Sequence, residues 1–249
     1  MSWIFFVMEF ANVYQDAQRA GAYDTLEFPG TYYLAFRDIP AIILAHVTGK
    51  RALDFGCGTG RSTRFLKRLG FDAVGVDIAE EMLERARLKD PVGEYRCVDE
   101  DGLSALGDSA FDLILSAFTF DNIPTSEKKV RLLDGLRNLL KPEGRIVNLV
   151  SSPDIYTHEW ASFTTRDFPE NQSARSGDVV RIVMTDVDDR RPVEDVIWFD
   201  DAYRENYAAA GLELLQTCRP LADANEPYTW VSETRVAPWV IYVLSGARR

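Results

Sequence analysis

Three glycines at alternate positions punctuate the run Leu53-Asp54-Phe55-Gly56-Cys57-Gly58-Thr59-Gly60-Arg61. Glycine tolerates positive φ and lets backbone approach a ligand with no Cβ in the way. Between a strand and a helix, such a turn is where open α/β sheets bind nucleotides. The spacing argues against a dinucleotide, because G-x-G-x-x-G would need glycine where the bulky Arg61 stands. Asp54 precedes the turn and Asp77 closes the next apolar run, Ala73-Val74-Gly75-Val76-Asp77. Two carboxylates there would repel a diphosphate and suit a positively charged ligand. Asp77 could also accept hydrogen bonds from a ribose diol, or cap the helix that starts near Glu80.

A nucleoside with positive charge and no phosphate is S-adenosylmethionine, which carries a sulfonium and an ammonium. Its methyl group is already activated, so a protein has to align, desolvate and, for a hydroxyl of high pKa, deprotonate the acceptor. Candidate bases are few. His46 reads as a helix-end residue ahead of the first strand, whereas His158 follows the fifth strand on the ligand side of such a sheet. Asp121, after the fourth strand, is the other candidate catalytic residue, although it also fits as a turn acid capping the helix beyond Pro124.

These residues need a frame. From Lys50 to about Ser151 short apolar runs alternate with amphipathic, helix-length ones. Strands are expected at 51–55, 73–76, 95–98, 111–117 and 145–150, with helices at 61–69, 80–88 and 130–140 and a turn at Pro142-Glu143-Gly144. That alternation predicts a doubly wound, mostly parallel sheet. Beyond it, Val179–Met184 and Val193–Phe199 flank the polar stretch Asp186–Arg191, which predicts an inserted antiparallel hairpin with a solvated tip. A helix from about Asp201 to Ala210, stopped by Gly211, and strands at 212–218 and 239–244 would complete the sheet. Residues 1–48 read as a helical lid rich in tyrosine, and 49–249 as the main domain with a cap inserted at about 155–199.

The chain has 249 residues and a formal charge of -11, which disfavours a long phosphate backbone as partner. No apolar stretch approaches the 18 or so residues of a membrane span, and the run at 3–8 is too short for a signal peptide. Cys57, Cys97 and Cys218 are far apart and odd in number, which suggests thiols in a reducing cytoplasm and no metal cluster.

Taken in order, four segments resemble the class I S-adenosylmethionine-dependent methyltransferases. Leu53–Gly60 is similar to the family's first motif, Val74–Asp77 to its second, Phe111–Ser116 to its fourth strand, and Leu139–Arg145 to its "LKPGG" turn, with Glu143 in place of a glycine. The resemblance implies a Rossmann-like, seven-stranded sheet with a C-terminal antiparallel strand. It places Gly56, Cys57, Gly58 and Gly60 along the methionine and ribose, Asp54 near the ammonium, Asp77 on the ribose, and Ile78 and Met82 on the adenine. An acid and a backbone N–H after the third strand would meet the adenine edge: Asp101 with Gly102 first, Asp99 second. Ser116, Ala117 and Phe118 would face the sulfonium. Tyr14 and Tyr33 could cover the cofactor, and Arg37 could pair with its carboxylate or with Glu27. The expected activity is O- or N-methylation of a small molecule by a monomer or homodimer. Methylation of tRNA or protein, and a cofactor-binding module without turnover, remain as alternatives, and a nicotinamide oxidoreductase is disfavoured by Arg61 and Asp54.

Overall fold

The computed structural model describes residues 29–99, 102–107 and 110–247. Two short helices come first, α1 (Thr31–Arg37) and α2 (Ile39–His46). The βα units follow as β1 (Arg51–Phe55), α3 (Arg61–Arg68), β2 (Asp72–Asp77), α4 (Glu80–Lys89), β3 (Glu94–Cys97), β4 (Phe111–Ala117), α5 (Ser126–Leu139) and β5 (Leu140–Ser151). Short strands β6 (Phe163–Thr164), β7 (Val179–Met184) and β8 (Val193–Val196) lead to α6 (Asp200–Ala209), β9 (Leu212–Cys218) and β10 (Trp239–Gly246).

The main sheet has seven strands in the order β3-β2-β1-β4-β5-β10-β9. The first five are parallel, and β10 runs antiparallel to both of its neighbours. Successive residues serve opposite faces, as strand geometry requires. Leu113, Leu115, Val147 and Leu149 enter one apolar cluster with α1, α2 and the second sheet. Ile114, Ile146, Val150 and Leu133 enter the other, with α5 and α6. The order reverses direction between β1 and β4, which opens a crevice beyond their carboxyl ends.

Between the Phe111–Leu140 and Leu113–Arg145 pairs the register shifts, and residues 141–144 form the extra length on β5. The expected Pro142–Gly144 turn is thus a bulge within a longer strand. A Cβ on Gly144 would come within 2.8 Å of the Phe111 carbonyl oxygen, so glycine is needed there.

The inserted antiparallel hairpin is present as β7 and β8, and a third strand, β6, pairs with β7, giving the order β6-β7-β8. Its far end is not a solvated tip throughout, because Val187 is buried in the core. One buried carboxylate ties this sheet to the rest. Glu233 accepts hydrogen bonds from the Thr31 hydroxyl and the Ala161 N–H, both at 2.7 Å, and from Val231 N–H at 2.8 Å and Ser232 N–H at 3.0 Å. Thr31 and Ser162 exchange reciprocal backbone-to-hydroxyl bonds, and the Trp239 indole donates to the Thr31 carbonyl at 2.8 Å. These contacts fix α1 against β10 and the insertion. The described aromatics Tyr32 and Phe36 are accordingly core residues.

Candidate functional site

The glycine turn is built for left-handed backbone. Gly56, Gly58 and Gly60 have φ of 73°, 53° and 78°. At Gly60 an added Cβ would lie 2.7 Å from the Tyr95 hydroxyl, and at Gly58 3.3 Å from the Met82 methyl. Asp77 holds the turn from below, its two oxygens accepting the N–H of Gly58 at 2.8 Å and of Ala79 at 2.9 Å. The cap position of α4 is Ala79, so Asp77 braces the turn one step ahead of the helix. Burial raises the Asp77 pKa.

A cavity of about 230 Å³ opens beside this turn, at the carboxyl ends of β1, β2 and β4. Gly56, Gly58, Asp77, Ile78, Met82 and Asp99 line one side. Ala117, Phe118, Thr119 and Asn122 line the other. Asp99 also folds back to accept the Gly102 N–H at 2.8 Å, while Gly102 itself is not on the wall. Asp101 and Tyr14 lie outside the described residues.

Asp54 and Ser116 lie beneath the cavity, both fully buried. A lone carboxylate in a central parallel strand needs donors, and Ser62 and Thr63 in the first turn of α3 supply them at 2.7 and 2.6 Å, both to Oδ2. Oδ1 of Asp54 and the Ser116 hydroxyl are buried without a hydrogen-bond partner. Loss of solvation pushes the Asp54 pKa up to about 6. Cys57 is buried as well, its thiol pushed up by the same cause.

Phe118 carries φ of 65°, the sole positive φ outside glycine among the described residues. This places its ring 4.9 Å from that of Trp239 and turns the chain into a 3₁₀ segment, Thr119–Asn122. Phe118 and Asn122 also line a second, smaller cavity of about 30 Å³, between the main sheet and the insertion. Asp121, Ser151, Tyr156 and Asp195 contribute polar groups to it, and Tyr32, Phe163 and Trp239 contribute aromatic walls.

Asp121 is buried, with its carboxylate accepting the Ser151 N–H at 3.0 Å and the Tyr203 hydroxyl at 3.5 Å. It does not cap α5, since Thr125 does so by accepting the Lys128 N–H. Burial raises the Asp121 pKa, and the nearby Lys129, itself lowered by burial, holds it back. The Lys129 ammonium donates to the Phe120 carbonyl and sits 5.1 Å from the Trp198 ring.

Other expected residues lie elsewhere. The His158 Nδ1 is 3.0 Å from the Asp154 carbonyl oxygen, and the ring lines neither cavity. His46, at the end of α2, meets the Gln216 side chain at 2.6 Å. Arg37 pairs with Asp38 and Glu226, each at 2.7 Å, and lines neither cavity, while Glu27 lies outside the described residues. Tyr33 packs on Tyr228 at 5.2 Å. Arg61 lies over the rings of Tyr32 and Phe36. Among the described residues no group of three or more His, Cys, Asp or Glu could hold a metal, and no helix is long and apolar enough to cross a membrane. Tyr32 is placed on the second cavity, although the sequence suggested it for a lid over the cofactor, and Ser151, Tyr156 and Asp195, which line the same cavity, carry no signal in the sequence that singles them out.

Residues 53–148 match the methyltransferase-domain family. The chain is 32% identical over 122 residues to a ubiquinone biosynthesis O-methyltransferase of Neisseria meningitidis, an alignment covering 46% of this chain and 50% of that one. It thus spans about half the length of several of the curated relatives it matches. It is 26% identical over 186 residues to an N-demethylindolmycin N-methyltransferase of Streptomyces griseus, covering 74% of this chain and 78% of the relative. Among solved structures, a methyltransferase of Streptomyces caelestis superposes with a TM-score of 0.65 at 19% identity over 94% of this chain and 98% of that one. An S-adenosylmethionine-dependent methyltransferase of Clostridium acetobutylicum gives 0.61 at 17% identity over 96% and 98%. These structural likenesses show the fold.

Proposed function

We propose, for a chain that belongs to the class I S-adenosylmethionine-dependent methyltransferases, that it methylates a small molecule held in the second cavity. The observation that carries this reading is the pair of adjoining cavities with Phe118 and Asn122 in their common wall. One is larger and bordered by the glycine turn; the other is small and lined in part by the aromatic rings of Tyr32, Phe118, Phe163 and Trp239.

The residues of the larger cavity fit the methyl donor. Gly56 and Gly58 offer backbone with no side chain, Asp77 offers a carboxylate to a diol, and Ile78 and Met82 offer apolar contact to a base. Asp99 is the acid on the wall after β3, and it supports the adenine edge better than Gly102, whose N–H is already engaged. The unpartnered Oδ1 of Asp54 fits an ammonium reached directly or through water. When bound, the donor supplies a methyl group on a sulfonium, and no metal or redox step is required of the protein.

The chain's own part is to hold the acceptor, exclude water and accept a proton. Tyr32, Phe118, Phe163 and Trp239 form a dry wall around the small cavity, with Tyr32 and Trp239 5.7 Å apart and stacked. Asp121, at the edge of that wall, is the candidate proton acceptor, its pKa lifted toward neutrality by burial. The small size of the second cavity favours a small acceptor over tRNA or a folded protein.

Dose-dependent stabilisation by S-adenosylhomocysteine, followed by incubation of the protein with labelled S-adenosylmethionine and a fractionated extract, tests the reading. A labelled low-molecular-mass product is expected. No thermal shift at saturating S-adenosylhomocysteine, or label confined to RNA or protein, overturns it.

A further inference from the structure

Lys129 is a buried cation that the reaction proposed above does not use. It is fully buried near the start of α5 and lines neither cavity. Nothing local favours a charge there, because burial strips its solvation and the field of a helix N-terminus opposes a cation. What offsets these costs lies around the ammonium. It donates to the Phe120 carbonyl and sits 5.6, 5.1 and 5.3 Å from the ring centres of Phe120, Trp198 and Tyr203. The faces of such rings attract cations. The negative charge that acts on it is Asp121, the next residue after Phe120.

Asp121 has the matching need. A carboxylate enclosed beside aromatic rings takes up a proton unless something favours its ionised form, and a protonated acid is no longer a base. The Ser151 N–H of β5 donates to it at 3.0 Å and the Tyr203 hydroxyl of α6 at 3.5 Å. Asp195 of β8 lines the same cavity, with the Tyr156 hydroxyl donating to it at 3.0 Å, and Tyr207 of α6 also lies within the field of Asp121. Lys129 of α5 supplies positive charge, and burial and Lys129 pull the Asp121 pKa in opposite directions. The ammonium is bonded to the Phe120 carbonyl and acts on the carboxylate through space. A direct ion pair would cover the carboxylate oxygens, whereas a cation tied to the preceding carbonyl stabilises their charge without covering them.

We propose that Lys129 is a positioning residue of the acceptor site: it ties down the turn that carries Asp121 and keeps that carboxylate ionised, without touching donor or acceptor. This rests on the reading of Asp121 as the proton acceptor. The proton that leaves the methyl acceptor, from oxygen or from nitrogen, then meets a base and not an acid.

The test follows aspartate carboxyl signals of the full chain, labelled with carbon-13, from about pH 4 to about pH 8. Asp121→Asn identifies the Asp121 signal by its loss. Lys129→Met removes charge and donor, whereas Lys129→Gln removes the charge and keeps a donor for the Phe120 carbonyl. Both variants are expected to raise the Asp121 midpoint by at least about one pH unit. A midpoint within about 0.3 pH unit of wild type, or one that Lys129→Gln returns to the wild-type value, overturns the proposal. Circular dichroism melts of the variants are read first. Coupling between two sites is reciprocal, so Asp121→Asn is expected to lower the titration midpoint of the Lys129 ammonium by a similar amount. That arm stands even if the Lys129 variants unfold, and the absence of a shift in it overturns the proposal. Wild-type protein that does not bind S-adenosylhomocysteine refutes the methyl-donor reading, and the role of Lys129 in acceptor chemistry falls with it.

Discussion

Replacing Asp77 separates a brace from a ligand contact. Its carboxylate accepts two backbone N–H bonds, from Gly58 at 2.8 Å and Ala79 at 2.9 Å, and lines the larger cavity. A ribose hydroxyl donating to an ionised carboxylate is worth about 1.5–3 kcal/mol. Asp77→Ala should therefore weaken S-adenosylhomocysteine by about 10- to 150-fold, with added loss because the Gly58 turn is no longer tied down. Asp77→Asn keeps one acceptor oxygen but turns an NH₂ toward a backbone donor, so it should fall between wild type and alanine. Because the cap position of α4 is Ala79 and not Asp77, the helix should survive, and far-ultraviolet circular dichroism checks that. Isothermal titration calorimetry gives the affinity. A folded Asp77→Ala protein whose Kd stays within about threefold of wild type, under 1 kcal/mol, refutes the assignment of Asp77 to the ribose.

Burial lifts the folded-state pKa of Asp54 to about 6 from 3.8 and also raises Asp77 and Asp121. A carboxyl raised on folding binds its proton more tightly in the folded chain, so it adds stability as pH falls from 7 toward 4 and withdraws it as pH rises. For Asp54 alone this is roughly 2–3 kcal/mol. Asp112, Glu159 and Asp200 are lowered and act oppositely, at the acid end of that range. Urea unfolding without ligand should show no loss of stability between pH 7 and 5, and Asp54→Asn should flatten the trend; a steady fall in wild type contradicts this. Phe118→Ala should cost about 2–4 kcal/mol through lost contact with Trp239. Phe118→Gly should be about 1 kcal/mol milder, since glycine accepts φ of 65° without strain; the reverse order in thermal denaturation would show that strain is not stored there. Gly60→Ala combines φ of 78° with a clash on Tyr95, and should lose about 1–3 kcal/mol of stability and at least about tenfold in S-adenosylhomocysteine affinity; an unchanged melting temperature would speak against it.

Local signals made the cofactor half of the fold legible. The Gly56–Gly60 spacing, the apolar runs of β1, β2 and β4 and the Leu139–Arg145 motif each depend on a few neighbouring residues, and all fall where expected. Asp54 shows where that reasoning stopped. Its charge suggested a ligand, yet the donors it found are Ser62 and Thr63, readable one helical turn away as hydroxyls facing back along α3. Arg37 meets a partner that the sequence did not suggest, for a different cause. Its partner Glu226 is 189 positions distant, and nothing local connects them. The β7–β8 hairpin of the insertion was legible, whereas strand β6 is only two residues long, too short for any periodicity.

The second cavity was illegible because its walls come from every part of the chain. Tyr32 on α1, Asp121 after β4, Tyr156 after β5, Asp195 on β8 and Trp239 on β10 meet only once Glu233 has locked α1 to the insertion. None of these residues carries a motif, and apart from Asp121 none stood out as catalytic. Their meeting in one cavity emerges only from the tertiary fold. An enzyme whose methyl donor arrives already activated needs no conspicuous catalytic signature. Residues brought together from distant parts of a chain can then set its specificity, and a local signal such as the glycine turn gives no warning of what sits beside it.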